Sequence, residues 1–341
     1  MLKVGIVGMG VMGWMHANQY GKLAGVELAA IADLIPERLD AENAVTGNIS
    51  EGEQALDLSR VARFAEGSDL IAQASVDIVD VCLPTDKHAD YTVEALRAGH
   101  DVLCEKPMAL SLADADRMIE AAKSAQQTLM IAQCIRFWPE YRFLRDTVRS
   151  GKLGRLLSLS MTRIGGLPTW SAHNWFLDPV RSGGPLHDLH IHDVDFVNYL
   201  LGVPDRIQAT ARKSAATGTY DVVHAQFLYD AGPQVHIYGG WSVAQIPFVS
   251  GYDAWFEKGF IRLDGRQDPA LMVFDDSGES REPEYQKGSG YFNEIAYFTA
   301  CVAKDVRVSE CVPDSARASL ALVEREIASI ETGQTVNGGG D

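Results

Sequence analysis

Hydrophobic and polar positions in the first third of the chain alternate between two periods. KVGIVG (3–8), VELAAIAD (26–33) and VDIVDVCLP (76–84) are short β-type runs, followed by helical spacing to about Leu23, after Pro36 and from Asp86 to Ala98. DVLCEKP (101–107) and LMIAQC (129–134) extend the series. Such alternation predicts a parallel sheet with right-handed crossover helices, and the almost unbroken apolar character of IVDVCL and LMIAQC fits strands covered on both faces. Beyond about Ser150 the pattern changes. RLLSLSMTRI, RIQATARK, DVVHAQFLYD, PQVHIYGGWSV and KGFIRLDG are strand-like stretches separated by Gly, Pro and Asp turns. They predict an α+β domain with a large, mainly antiparallel open sheet. A last amphipathic helix is expected over about 313–330, with Asp314 and Ser315 at its start, where side-chain oxygens satisfy free backbone N–H groups.

At 341 residues the chain accommodates two domains, each with its own core. The expected boundaries are a first domain over 1–134, a second over 135–335 and a frayed tail over 336–341. The net charge of −16, with no long Lys/Arg run, excludes nucleic acid and anionic membrane surfaces as expected partners. Five cysteines without a C-x-x-C pair read as reduced intracellular thiols. The glycine-studded start does not read as a secretion signal and no stretch reaches membrane-span length, so a cytoplasmic location is expected.

Between the first strand and first helix, Gly8, Met9, Gly10, Val11, Met12 and Gly13 spell G-x-G-x-x-G. The missing side chains permit a tight turn, close approach to a pyrophosphate and close helix packing, and the helix N-terminus then faces the phosphates. Asp33, twenty residues past Gly13 at the end of the second strand, is placed to accept the ribose hydroxyls. The first domain therefore reads as a Rossmann-type dinucleotide-binding domain. A carboxylate there disfavours a 2′-phosphate, so NAD is expected ahead of NADP, with Arg38 nearby blunting the preference.

VDVCLPTDKHADYTVEALRAGHDVLCEKPMAL (79–110) and GGPLHDLHIHDVDFVNYLLG (183–202) carry the second set of signals. With the glycine loop, they closely resemble the glucose-fructose oxidoreductase and inositol dehydrogenase family, Gfo/Idh/MocA, over nearly the whole chain. The family's hallmark Glu-Lys-Pro stands at Glu105, Lys106 and Pro107. Read from the residues alone, Lys106 follows an apolar strand at the carboxyl edge of a parallel sheet, where such sheets bind ligands. On a helix over Pro185 to Leu201, Asp188, His192 and Asp195 share a stripe about 60° wide, among apolar positions spread all round. A metal reading of His187, His190 and His192 finds no H-E-x-x-H spacing and three different directions on one helix, so no metal is expected.

The resemblance implies an active-site dyad at Asp188 and His192, with Lys106 beside the reacting hydroxyl. It also implies cofactor contacts at Leu83, Pro84, Thr85, His88, Glu105 and Arg136, although the family more often has Asn at the position of Thr85. Arg136, His173 and Trp175 match family blocks near the substrate. The activity implied is oxidation of a secondary hydroxyl of a sugar, sugar acid or cyclitol by hydride transfer to NAD(P). His192 would act as base, Asp188 would orient it and Lys106 would polarise the hydroxyl. Two alternatives stay open: an NAD-dependent glycosidase of the same family, which would cleave without net NADH, and a non-catalytic NAD-binding regulator, which would bind without turnover. The exposed face of the open sheet implies a homodimer or homotetramer.

Overall fold

The computed structural model describes residues 1–40, 56–214 and 217–339. The chain divides into two compact units, Met1–Phe137 with Gly288–Arg317, and Trp138–Lys287 with Ala318–Asp341.

The first unit begins with β1 (Leu2–Val7), α1 (Val11–Tyr20) and β2 (Val26–Ala32). β3 (Ala62–Phe64), α2 (Gly67–Gln73), β4 (Ile78–Val81) and α3 (His88–Arg97) follow, then β5 (Asp101–Glu105), α4 (Leu112–Ala125) and β6 (Leu129–Ala132). The six strands form a parallel sheet in the order β3-β2-β1-β4-β5-β6. Strand order reverses between β1 and β4, the crevice where doubly wound sheets bind ligands. The helix expected after Pro36 is described only as a 3₁₀ turn at Pro36–Leu39, because 41–55 lie outside the described residues.

The second unit holds α5 (Pro139–Ser150), β7 (Leu156–Gly166), α6 (Pro179–Ser182) and α7 (Ile191–Leu201). β8 (Arg206–Lys213), β9 (Tyr220–Leu228) and β10 (Gln234–Ser242) follow. β11 (Val249–Phe256), β12 (Gly259–Asp264), β13 (Leu271–Asp275) and β14 (Ser280–Arg281) come next. Its nine-stranded sheet is antiparallel except where β10 pairs parallel with β7. Burial alternates along these strands, as a sheet covered on one face requires: Leu159, Met161, Ile237, Ala254 and Ile261 are buried, and their neighbours face outward.

The division differs from a single cut near residue 134. α8 (Gly290–Ala303) belongs to the first unit, where Ile295 and Phe298 enter the same core as Trp14, Tyr20 and Ile31. α9 (Pro313–Thr332) begins where expected, and its first residues belong to the first unit. The tail is not wholly frayed: β15 (Val336–Asn337) pairs with Ile207 and Arg206 of β8, while Gly340 and Asp341 lie outside the described residues.

Candidate active site

In the first unit the three loop glycines do different work. Gly8 has φ +97°, and a Cβ there would lie 2.5 Å from the Cys82 carbonyl oxygen. A Cβ on Gly13 would lie 1.9 Å from the Gly8 carbonyl oxygen, so that glycine is what lets α1 pack against the end of β1. A Cβ on Gly10 would meet nothing nearer than Arg38 Nη1 at 3.9 Å. Among the described residues the space beside Gly10 is therefore open and no side chain caps α1, whose first residues Val11 and Met12 are half-buried. This arrangement fits a dinucleotide pyrophosphate received on backbone N–H groups at a helix N-terminus. Asp33 holds the loop from the neighbouring strand: its Oδ2 accepts the Met9 N–H at 2.8 Å and its Oδ1 the Ile35 N–H at 2.8 Å. Arg38 Nη1 stands 3.8 Å from Asp33 Oδ2.

At the same carboxyl edge, β4 leads to half-buried Leu83 and Pro84 and buried Thr85, the first residue of a 3₁₀ turn running to Lys87. β5 leads to Glu105 and half-buried Lys106, whose backbone N–H donates to Glu105 Oε2 at 3.0 Å; the Lys106–Pro107 peptide is cis. His88 is buried, with Nδ1 2.8 Å from the Pro107 carbonyl and Nε2 2.8 Å from the Leu83 carbonyl. Burial lowers its pKa against the two carbonyls, which favour the doubly protonated ring. Its ring therefore joins the two loops. Arg136, expected to contact cofactor and substrate, is buried, and its guanidinium donates to the Glu310 carbonyl at 2.6 Å and to Ser315 Oγ at 3.0 Å.

In the second unit, two glycines with φ +72°, Gly183 and Gly184, lead into the histidine helix. Its first turn, Leu186–His190, is a π-helix, continued by α7. The uniform period of 3.6 expected over Pro185–Leu201 is therefore corrected, because the π turn is wider than an α turn. The polar stripe is corrected too. Asp195 is buried and accepts a hydrogen bond from Ser319 Oγ at 2.7 Å, so it faces α9. From Gly184 to Asn198, Asp188 and His192 are the two residues that keep partial exposure.

The other histidines diverge. His187 Nδ1 lies 3.2 Å from the Gly183 carbonyl, and burial lowers its pKa. His190 Nε2 lies 3.1 Å from the Glu326 carboxylate; burial pulls its pKa down, and the charge of Glu326 raises it overall. His173 is exposed in a left-handed conformation at φ +53°, and the half-buried Trp175 ring stacks on Phe176 at 4.0 Å between centroids.

An NAD-binding Rossmann-fold oxidoreductase family model, GFO/IDH/MocA, matches residues 2–133, and the C-terminal domain model of the same family matches residues 141–261. The chain belongs to the GFO/IDH/MocA oxidoreductase family. It is 28% identical to inositol 2-dehydrogenase of Rhizobium meliloti over 96% of this chain and 97% of that one. It is 31% identical to myo-inositol 2-dehydrogenase of Thermotoga maritima over 59% of this chain, which spans 55% of that relative. The crystal structure of an aldose-aldose oxidoreductase from Caulobacter crescentus superposes with a TM-score of 0.83 at 24% identity, covering 98% of this chain and 99% of that one. This member of the family is thus an oxidoreductase with an NAD-binding Rossmann domain.

One cluster in the first unit escaped the motif reading. His16, Asp80 and Cys82 present ligand-type atoms within 4.8 Å of one another, and Tyr20 and Glu105 adjoin them. Hydrogen bonds account for their closeness, with His16 Nδ1 2.8 Å and Tyr20 Oη 2.9 Å from Asp80 Oδ2. A signal for it lies in the sequence: Asp80 interrupts an apolar strand, and a buried carboxylate needs partners.

Proposed function

We propose that this protein oxidises a secondary hydroxyl of a sugar, sugar acid or cyclitol, with NAD as cofactor. The observation that carries the reading is the partial exposure of Asp188 and His192 on a helix otherwise buried from Gly184 to Asn198. A buried helix presenting only a carboxylate and an imidazole suits proton transfer. Bound at Gly8 to Gly13 and Asp33, NAD supplies the hydride acceptor. A ring nitrogen of His192 takes the hydroxyl proton, Asp188 orients the ring and favours its protonated form, and Lys106 stabilises the negative charge developing on the oxygen. The carboxylate of Asp33 favours NAD over NADP, against the opposing charge of Arg38. The names of the two inositol dehydrogenase relatives support the polyol class.

The test is NADH formation at mildly alkaline pH, with NAD or NADP and a panel of sugars, sugar acids and inositols. Turnover with NAD that is lost in His192→Ala is expected. Glycosidic cleavage without net NADH would replace this reading with the glycosidase, and NAD binding without turnover would replace it with the regulator.

We further propose that the outer face of the nine-stranded sheet joins copies of the chain into a homodimer or homotetramer. Trp255, Phe260 and Phe274 lie in register across β11, β12 and β13, and Trp255 is 56% and Phe274 37% exposed. Their rings pack at 4.7 and 5.7 Å between centroids. An aromatic patch of this kind on a sheet face is what subunit contacts use. A monomeric mass in sedimentation would contradict this, and Trp255→Glu is expected to dissociate the assembly. The five cysteines are buried thiols rather than disulfides, which supports a cytoplasmic setting.

A further inference from the structure

The polar cluster beneath the carboxyl edge of the parallel sheet is continuous from α1 to Lys106. Tyr20 Oη donates to Asp80 Oδ2 at 2.9 Å, and His16 Nδ1 meets the same oxygen at 2.8 Å. His16 Nε2 stands 3.2 Å from Glu105 Oε1 in an ion-pair contact, and Glu105 Oε2 accepts the backbone N–H of Lys106 at 3.0 Å. His16 and Asp80 are fully buried, and Tyr20 is 1% exposed. Cys82 adds an S–H donor 3.4 Å from Asp80 Oδ1. None of these groups has a part in the proton transfer proposed above, yet burying two carboxylates and an imidazole is costly without a role or full pairing.

The charges explain the arrangement. Asp80 and Glu105 flank one imidazole, and only a ring carrying N–H on both nitrogens satisfies both carboxylates. Burial lowers the pKa of His16, while charge at Cys82 and Asp80 and their hydrogen bonds raise it well above its ordinary value. Burial also pushes the Cys82 thiol up, so Cys82 is a neutral S–H donor beside the ring. Burial pushes the Glu105 carboxyl up, and the hydrogen bond and charge of His16 outweigh that to hold it below its usual value. Remove the imidazolium, and two carboxylates share an apolar interior; one then takes up a proton, and the acceptor for the Lys106 amide weakens.

We propose that His16 and Asp80, supported by Tyr20, are positioning residues that keep Glu105 a carboxylate, which in turn fixes the main chain at Lys106. This rests on the role given to Lys106 above. It also joins the cofactor loop to the lysine, because His16 lies on α1, three residues beyond Gly13.

Hydrogen exchange at the Lys106 amide of the full-length protein tests the proposal without requiring activity. In His16→Gln and Glu105→Gln, exchange at that amide is expected to rise by up to about tenfold, the difference between a charged and a neutral acceptor, with the amides of β6 unchanged. Tyr20→Phe, which removes a single hydroxyl, keeps the test available if His16→Gln does not fold, and an increase of about threefold is expected. Wild-type exchange at Lys106 in a folded variant, or an equal rise across the whole unit, overturns the proposal.

The kinetic arm separates positioning from general damage. On a polyol that the wild type oxidises, His16→Gln is expected to lower kcat with the polyol KM nearly unchanged, and to add no further loss in a Lys106→Met background. An equal loss in both backgrounds overturns action through Lys106. If the wild type oxidises no polyol, the functional reading fails by itself, and the exchange result still decides whether the cluster positions Lys106.

Discussion

Two alanine substitutions three residues apart in the glycine loop should have opposite effects. At Gly13, the added Cβ would stand 1.9 Å from the Gly8 carbonyl oxygen, where contact normally begins near 3.4 Å. The obstacle is main chain, so α1 must move off the end of β1 rather than a side chain rotate. Overpacking of this kind costs about 3 kcal/mol, and for a unit of this size that lowers Tm by roughly 6–12 °C. At Gly10, φ is −77°, which alanine adopts without strain, and among the described residues the nearest atom to the new Cβ is 3.9 Å away. Alanine is a poorer N-cap than glycine, and it loses less entropy on folding; the two effects offset to within about 1 kcal/mol.

The same methyl at Gly10 occupies the space through which a pyrophosphate reaches the N–H groups of α1. Gly10→Ala should therefore melt like the wild type yet bind NAD at least about tenfold more weakly, a loss of about 1.4 kcal/mol. Thermal melts followed by calorimetric titration with NAD separate the two variants. Wild-type affinity in Gly10→Ala would refute the reasoning, because the cofactor would then approach elsewhere. A wild-type Tm in Gly13→Ala would refute the account of helix packing.

Other consequences are as specific. His192→Ala should lower kcat by a factor of about 10² to 10⁴ while NAD titration stays unchanged; weakened NAD binding alone would mean that the histidine serves the fold. Glu326→Ala leaves His190 buried without its carboxylate and should cost about 3–5 kcal/mol in urea unfolding. Because Glu326 raises the His190 pKa, that stabilisation is full below the unfolded value of about 6.5 and fades as pH rises through the folded value. The gap between wild type and variant should thus narrow on raising the pH, and a widening gap would contradict the pairing. All five thiols should resist a thiol reagent in the folded protein and react on denaturation, so one fast native thiol would show that a cysteine is not buried as described.

The features that could be read from the sequence were those whose cause is local. A glycine that must have no side chain shows itself in the spacing of Gly8, Gly10 and Gly13, and a strand covered on both faces shows itself in IVDVCL. Asp33 was legible for its position at the end of β2, though its bonds to the Met9 and Ile35 amides were not. The return of α8 to the first unit was illegible, since an apolar helical face such as Ile295 and Phe298 does not say which core it enters. The π turn at Leu186–His190 was equally hidden. Periodicity assumes 3.6 residues per turn, and one wider turn is enough to spoil the projection that placed Asp195 beside His192.

What stayed hidden elsewhere has one physical cause. Arg136, Asp195 and His190 are polar residues in or beside the family blocks, and a local pattern does not say what each one meets. Each is satisfied by a residue far along the chain: Arg136 by Glu310 and Ser315, Asp195 by Ser319, His190 by Glu326. A buried polar group demands a partner, and the sequence shows the demand without showing who meets it. In a fold whose last helices return to earlier elements, those partners come from the segment between Glu310 and Glu326. What distinguishes Asp188 and His192 is therefore not their type or spacing, which Asp195 and His190 share. It is that they keep partial exposure where the rest of the helix from Gly184 to Asn198 has none.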